Sequence, residues 1–322
     1  FVQIKGFLMN NLLGRIKSLI IRMSRYPKTG IRKFFIKRLR KAGYSSFYAP
    51  RIFDERYFDL FKNKGTTWKQ KFWAQKRGFL SRHISLFGLT EDNYKNYLPY
   101  FDYYKLHPIN GLFSHWIDDK LTMKLILHPF SENLPDYYFH MTGGEILKLM
   151  DCDDYFDQSI NGIIHLLRDK KMLAGKLFAG QGGYGFERLA YSNNHYYLNQ
   201  KLVSKSELKY HLEDMSRVGR GGYLITEYLK ANKYFSNIWA ETPNSVRLMV
   251  IRGKKEQSKL VDSFIKFGTK NSGSIDNRSS GGIACKVDIH SGHFSDGRII
   301  ISNKSEACKY HPDTNILVEG VI

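Results

Sequence analysis

Between residues 12 and 23 the apolar side chains Leu12, Leu13, Ile16, Leu19, Ile20 and Met23 recur at the spacing of one helix face, with Arg15, Lys17, Ser18 and Arg22 between them. This pattern predicts an amphipathic basic helix. Pro27 and Gly30 end it, and a second segment follows in which Ile31, Phe34, Phe35 and Leu39 are set among Arg32, Lys33, Lys37, Arg38, Arg40 and Lys41. From Asp54 to Tyr104 no period of two is sustained, and the text reads as helices with short connections. Aromatic residues at this density, Trp68, Trp73, Tyr103 and Tyr104 among them, are expected in a core more often than on a stacking surface. His107-Pro108-Ile109-Asn110-Gly111 is turn chemistry and marks a boundary.

After that boundary glycines cluster at 143–144, 180–185, 219–222, 268–273, 281–282 and 292–297, with strand patterns between them. Tyr223 to Glu227 is an apolar strand ending on an acid and running into Tyr228, Leu229 and Lys230. Thr242 to Arg252 reads as a strand that turns at Gly253-Lys254-Lys255-Glu256 and returns from Leu260 to Gly268. Period two sets Arg247 among apolar neighbours, a guanidinium that is costly there unless it meets an anion. In the strand from Ala284 to His290, Lys286 and Asp288 share one face.

Composition changes this picture in one respect. The 322 residues are 42% hydrophobic and 15% aromatic, which excludes a disordered chain. The net charge of +20 is concentrated, since residues 1–53 contain 13 Lys and Arg and no acid, leaving 37 bases against 30 acids downstream. A helix with cationic and apolar faces can lie on an anionic membrane, each surface-proximal base contributing roughly 1 kcal/mol; the plainer alternative is that the apolar faces pack on the protein. Cys152, Cys285 and Cys308 lack the paired spacing of a disulfide framework or zinc site, and the longest apolar runs are too short to span a bilayer. The expected location is the cytoplasm, with peripheral contact at the inner face of the membrane through residues 1–48.

The first candidate for chemistry is Lys176, followed by a loop holding Gly180, Gly182, Gly183 and Gly185. A fixed cation beside backbone N–H groups free to approach oxygens suits phosphate, although a plain hairpin turn has the same glycines. The spacing matches neither the P-loop nor the dinucleotide fingerprint. Glu227 at a strand end could accept from the exocyclic amine of an adenine, and Asp288 with Asp276 or Asn277 nearby offers the oxygen ligands that suit Mg²⁺.

Taken in order, the lysine, the glycine loop, Glu227-Tyr228-Leu229, Asn244-Ser245-Val246-Arg247, Ile275-Asp276-Asn277, Gly281-Gly282-Ile283 and His311-Pro312-Asp313-Thr314 resemble the ATP-grasp superfamily. More narrowly they resemble its sugar-transfer-associated family from bacterial polysaccharide biosynthesis, over roughly Trp116 to Ile322. The resemblance implies an α+β ATP-grasp fold, two subdomains gripping Mg-ATP, preceded by a helical basic region. The divisions are 1–53 for the basic arm, 54–115 for a helical region, 116–225 for the first subdomain with its glycine-rich lid, and 226–322 for the second. Lys176 and Lys124 would hold phosphates, Glu227 to Leu229 would be the adenine hinge, Asn244 and Lys286 would join the nucleotide contacts, and Arg247 would face the transferred phosphoryl group. Family members usually end the site with Glu and Asn two apart; Glu319-Gly320-Val321 is the nearest echo, so the second subdomain is expected to be incomplete at its C-terminal end.

The activity implied is ATP- and Mg-dependent joining of a carboxylate to an amine or other nucleophile through an acyl phosphate, such as amino-acid decoration of a sugar in a surface polysaccharide. The partners would be small molecules: an amino acid, a sugar nucleotide or a polysaccharide unit. Two other readings stand beside it. One is an inactive nucleotide-binding scaffold at the membrane surface. The other, suggested by the basic charge, is a nucleic-acid binder, against which stands a downstream region that is almost charge-balanced and has no recognised reading motif.

Overall fold

A computed structural model of the chain describes residues 30–107, 109–180, 182–219, 221–301 and 304–322. The predicted helix over 12–23 lies outside them. The chain divides into two compact units, residues 1–114 and 115–322.

The described part of the first unit is helical: α1 (Gly30–Lys41), α2 (Tyr48–Phe61), α3 (Trp68–Lys76), α4 (Arg82–Phe87) and α5 (Tyr100–Leu106). Helix α1 turns Ile36 and Leu39 onto a core of Tyr44, Ala49, Ile52, Leu80, Phe101 and Tyr104, and Arg32 pairs with Asp54 at 2.8 Å. Its other apolar side chains, Ile31, Phe34 and Phe35, face solvent. Helix α3 starts where its sequence says it should, with Thr67 and Gln70 forming a reciprocal capping box. Buried Asp59 is satisfied by the N–H and hydroxyl of Ser81 and by Gln75. Of the aromatic residues expected in the core, Tyr104 is buried, while Trp68 and Tyr103 remain 43% and 39% exposed.

Helices α6 (Ser114–Asp118) and α7 (Lys120–Ile126) lead into a seven-stranded sheet built from β1 (Tyr137–Thr142), β2 (Glu145–Lys148), β3 (Met172–Leu177), β4 (Glu187–Ser192), β5 (His195–Leu198), β6 (Lys201–Val203) and β7 (Tyr223–Glu227). The strand order is β2-β1-β7-β3-β4-β5-β6, and every pairing is antiparallel. Helices α8 (Ile160–Lys170) and α9 (Lys205–Ser216) supply Ile163, Ile164, Leu166, Leu167, Leu208, Leu212 and Met215 to a core shared with Leu173, Leu189, Tyr223 and Ile225 of the strands. Both helices start at a serine whose hydroxyl accepts a backbone N–H of the first turn, Ser159 and Ser204. Because side chains alternate along a strand, covering one face leaves Met172, Ala174 and Lys176 on the other.

A segment containing α10 (Lys233–Ser236) joins this sheet to a second one, made of β8 (Val246–Ile251), β9 (Lys259–Phe267), β10 (Ile283–Val287), β11 (His293–Ile301), β12 (Lys304–Ala307) and β13 (Gly320–Val321). Its order is β12-β11-β10-β9-β8, with β13 on β11, over a core of Ile265, Phe267, Ile283, Cys285, Val287 and Phe294. Strand β8 is the edge, and all six of its residues are exposed. The expectation that Arg247 lies inside an apolar strand and needs an anion to offset desolvation is thereby corrected: its neighbours are apolar in sequence, but nothing buries them. Among the described residues no helix is long and apolar enough to cross a membrane.

Candidate functional site

Strand β3 leads into the glycine loop and β4 leads out of it, so the loop is the tip of a hairpin whose register, Gly175 opposite Glu187, places Lys176 immediately before the turn. Gly175 packs closely there: a Cβ would come within 2.8 Å of the terminal methyl of Met215 and 3.1 Å of the Glu187 Cβ. Lys176 projects from the face opposite the helices and holds no ion pair or hydrogen bond at its Nζ among the described residues. Burial, with the like charge of Lys120 second, lowers its pKa to about 8, against a smaller opposing pull from Glu227.

Lys120 was not singled out from sequence. It is the first residue of α7, and its ammonium donates to the carbonyls of Leu177 at 3.0 Å and Gly180 at 2.7 Å, which anchors the root of the glycine loop. Its pKa is likewise lowered, chiefly by burial. Lys124, one helical turn on, was the expected phosphate ligand. The structure places it elsewhere: 4% exposed, its Nζ is 2.9 Å from Asp151 and 2.9 Å from the carbonyl of Pro135. Its charge is already matched, and the ammonium closest in effect to Lys176 is that of Lys120.

At the opposite end of β3, Leu173 pairs with Glu227 at the end of β7. The Glu227 N–H donates to the carbonyl of Asp136 at 2.8 Å, and its carboxylate accepts from the Asp136 N–H at 3.3 Å. Tyr228 is buried, with the Arg188 guanidinium 5.3 Å from its ring centroid, and Arg188 pairs with Glu241 at 3.0 Å; Leu229 is exposed. Nearby is a cleft of about 680 Å³, floored by the register row Met172, Ala190 and Tyr197 and edged by Arg188, Gln200 and Lys230. Four residues of strand, roughly 13 Å, separate Met172 from Lys176.

The second sheet distributes its predicted residues differently. Arg247 and Lys286 both pair with Phe264 from opposite sides, so they share one face, two strands apart. Both are exposed. Asn244 is not free for a nucleotide: it is buried, with φ at 54°, its amide donates to the carbonyls of Trp239 and Phe235, and its oxygen accepts from Thr242 and the Gly268 N–H. That knot fixes the start of β8.

The three expected metal ligands do not converge. Asp276 is consumed within the fold, one oxygen accepting from the N–H and hydroxyl of Ser245 at 2.7 and 2.5 Å, the other 2.8 Å from the Lys266 ammonium. Asn277 accepts from Lys266 at 3.2 Å and donates to the carbonyl of Gly182 at 2.6 Å. Asp288 lies past the other end of β10, where its carboxylate accepts from the N–H groups of His290 and Ser291 and from the Ser291 hydroxyl; these bonds lower its pKa. It caps a hairpin turn. Among the described residues no group of three or more His, Cys, Asp or Glu could hold a metal ion. These residues do not fit Mg²⁺ as a protein-built cage.

A family model described as sugar-transfer associated ATP-grasp matches residues 103–322, well over half of the chain. No curated protein and no solved structure matches it.

Proposed function

Since the chain belongs to the sugar-transfer-associated ATP-grasp family and has its α+β fold behind an N-terminal helical region, we propose that it is an ATP-dependent ligase joining a carboxylate to an amine or similar nucleophile through an acyl phosphate. ATP-grasp proteins generally bind ATP with Mg²⁺. The observation that carries the proposal is Lys176, a half-buried ammonium with no ion pair or hydrogen bond among the described residues, at the foot of a glycine loop and with the ammonium of Lys120 beside it. Two cations held close together at the surface of a sheet raise one another's cost, and a polyphosphate offsets both.

When ATP is bound it supplies the phosphoryl group. Lys176 and Lys120 would hold its phosphates, the N–H groups of Gly182, Gly183 and Gly185 would close over them, and Glu227 to Leu229 would border the base. In the proposed step a carboxylate oxygen attacks the terminal phosphorus and the bond to ADP breaks; the nucleophile then attacks the acyl carbon and phosphate leaves. The part of this chain is positioning and charge neutralisation, and the glycine loop keeps water from the acyl phosphate. No step is drawn through Mg²⁺, because the acidic residues do not gather for it. Purified protein given Mg-ATP, amino acids and uronic-acid acceptors should release ADP. Thermal stabilisation by ATP with no ADP across a broad panel would favour the inactive scaffold instead.

An anionic membrane as a further partner is supported by α1, whose solvent side carries Ile31, Phe34 and Phe35 at 52%, 56% and 37% exposure beside Lys33, Lys37, Arg40 and Lys41. Replacing Lys33 and Lys37 by Glu should weaken co-sedimentation with phosphatidylserine vesicles and leave neutral vesicles unaffected; equal binding by both proteins would remove the membrane from the proposal.

A further inference from the structure

The glycine loop is held at two places, and the second is chain chemistry that the proposed reaction does not use. Its root is fixed by Lys120. Its tip meets the second sheet: the Asn277 amide N–H donates to the Gly182 carbonyl at 2.6 Å, and a Cβ on Gly183, where φ is 74°, would come within 2.8 Å of the Asn277 amide nitrogen and 2.9 Å of Ile275. The amide is oriented from behind. Lys266 can only donate, so by contacting Oδ1 at 3.2 Å it turns Nδ2 toward Gly182, and the same ammonium is fixed by Asp276, itself anchored on Ser245.

We propose that Asn277 is the latch of the glycine lid, a positioning residue whose side-chain N–H closes the loop over the phosphate site and releases it between turnovers. The inference rests on the nucleotide reading of the loop. A single neutral hydrogen bond suits that task, because it shifts the balance of closed over open by about three- to tenfold and no more. An ion pair in the same place would hold harder. The contact is specific to a donor: a carbonyl oxygen cannot be held by a carboxylate.

The test separates the latch from a merely structural Asn277. Asn277→Asp keeps the shape and strengthens the contact to Lys266, but it removes the donor and sets a carboxylate against the Gly182 carbonyl. Amide hydrogen exchange of residues 178–186 in the nucleotide-free protein should rise about three- to tenfold in Asn277→Asp and in Asn277→Ala, with exchange in the β9 and β10 amides unchanged in the Asp variant. If Asn277→Asp exchanges like the wild type while Asn277→Ala is loosened throughout the second sheet, the residue is structural and the latch is overturned. Exchange at wild-type rates in both variants overturns it equally. With a fluorescent ATP analogue, dissociation should quicken by a similar factor and association should hardly change. Absence of any analogue binding by the wild type would count against the nucleotide reading, whereas the exchange result bears on the latch alone.

Discussion

The two sheets of residues 115–322 treat their charges in opposite ways. On the first, Lys176 is half-buried, makes no ion pair among the described residues and lies close to a second ammonium. On the second, Lys266 is more deeply placed and is neutralised by Asp276 at 2.8 Å, with side-chain exposures of 11% and 12%, while the other oxygen of that carboxylate accepts twice from Ser245. A buried charge whose partners are complete is satisfied within the fold, whereas an unpaired one remains able to meet an anion. The difference supports the proposed phosphate site on the first sheet, since the Asp276 region is already satisfied within the second.

The largest effect expected from this contrast is at Lys266. Lys266→Met leaves the Asp276 carboxylate buried and uncompensated, which should cost about 3–5 kcal/mol. In a unit of this size that lowers the melting temperature by roughly 10 °C, read by thermal or urea denaturation. Lys176→Met should do the reverse. Removing a half-buried unpaired cation should leave the ligand-free melting temperature unchanged or higher, while ATP affinity falls about 10- to 100-fold as charge-assisted contacts to phosphate are lost. A destabilised Lys176→Met with undiminished ATP binding would erase the distinction between the sheets.

Smaller effects sharpen it. Lys120→Met should weaken ATP by about tenfold, for one charge-assisted contact, and Lys124→Met should spare affinity but cost stability by stranding Asp151. The pH dependence follows from Lys176. Its folded pKa of about 8 lies below the ordinary lysine value of 10.5, so between those values the unfolded chain binds more protons and this group's contribution to stability rises with pH. Over the same range the folded protein loses the cation, and affinity for ATP should fall as pH passes 8. Titrating binding from pH 7 to 10 in the wild type and in Lys176→Met checks both halves, since the variant should lack this component.

Much of the first sheet was legible because its signals are local. A lysine, a hairpin and four glycines lie within ten residues, and strand alternation says which side Lys176 takes. The choice between Lys120 and Lys124 was not local. Both sit on α7 one turn apart, and only Asp151, 27 residues downstream of Lys124, decides that the second is spent. The second sheet was misread for a related reason: Asp276, Asn277 and Asp288 look like oxygen ligands in sequence, whereas hydrogen bonds to Ser245, Lys266, Gly182 and Ser291 consume them in the fold. Asp288, three residues before Ser291 in a Gly-containing turn, carried a turn signal that could have been weighed against the metal. Asn244 gave no such warning; its burial depends on Trp239 and Gly268 coming together.

Arg247 provides the smallest and most discriminating test. It lies on the edge strand β8, exposed, in the same row as Lys286 across Phe264. A surface guanidinium with no buried partner contributes little to folding, so Arg247→Ala should change stability by no more than about 0.5 kcal/mol. If the exposed face of the second sheet serves the reaction, the same substitution should lower kcat in an ADP-release assay while leaving the KM for ATP nearly constant, because the residue would meet charge that develops during transfer and not the ground-state phosphates held at Lys176. A rise in KM with kcat unchanged would instead make Arg247 part of the ground-state phosphate site, and the division of labour between the sheets would have to be redrawn with both binding ATP. No change in either constant would confine the chemistry to the first sheet and its lid.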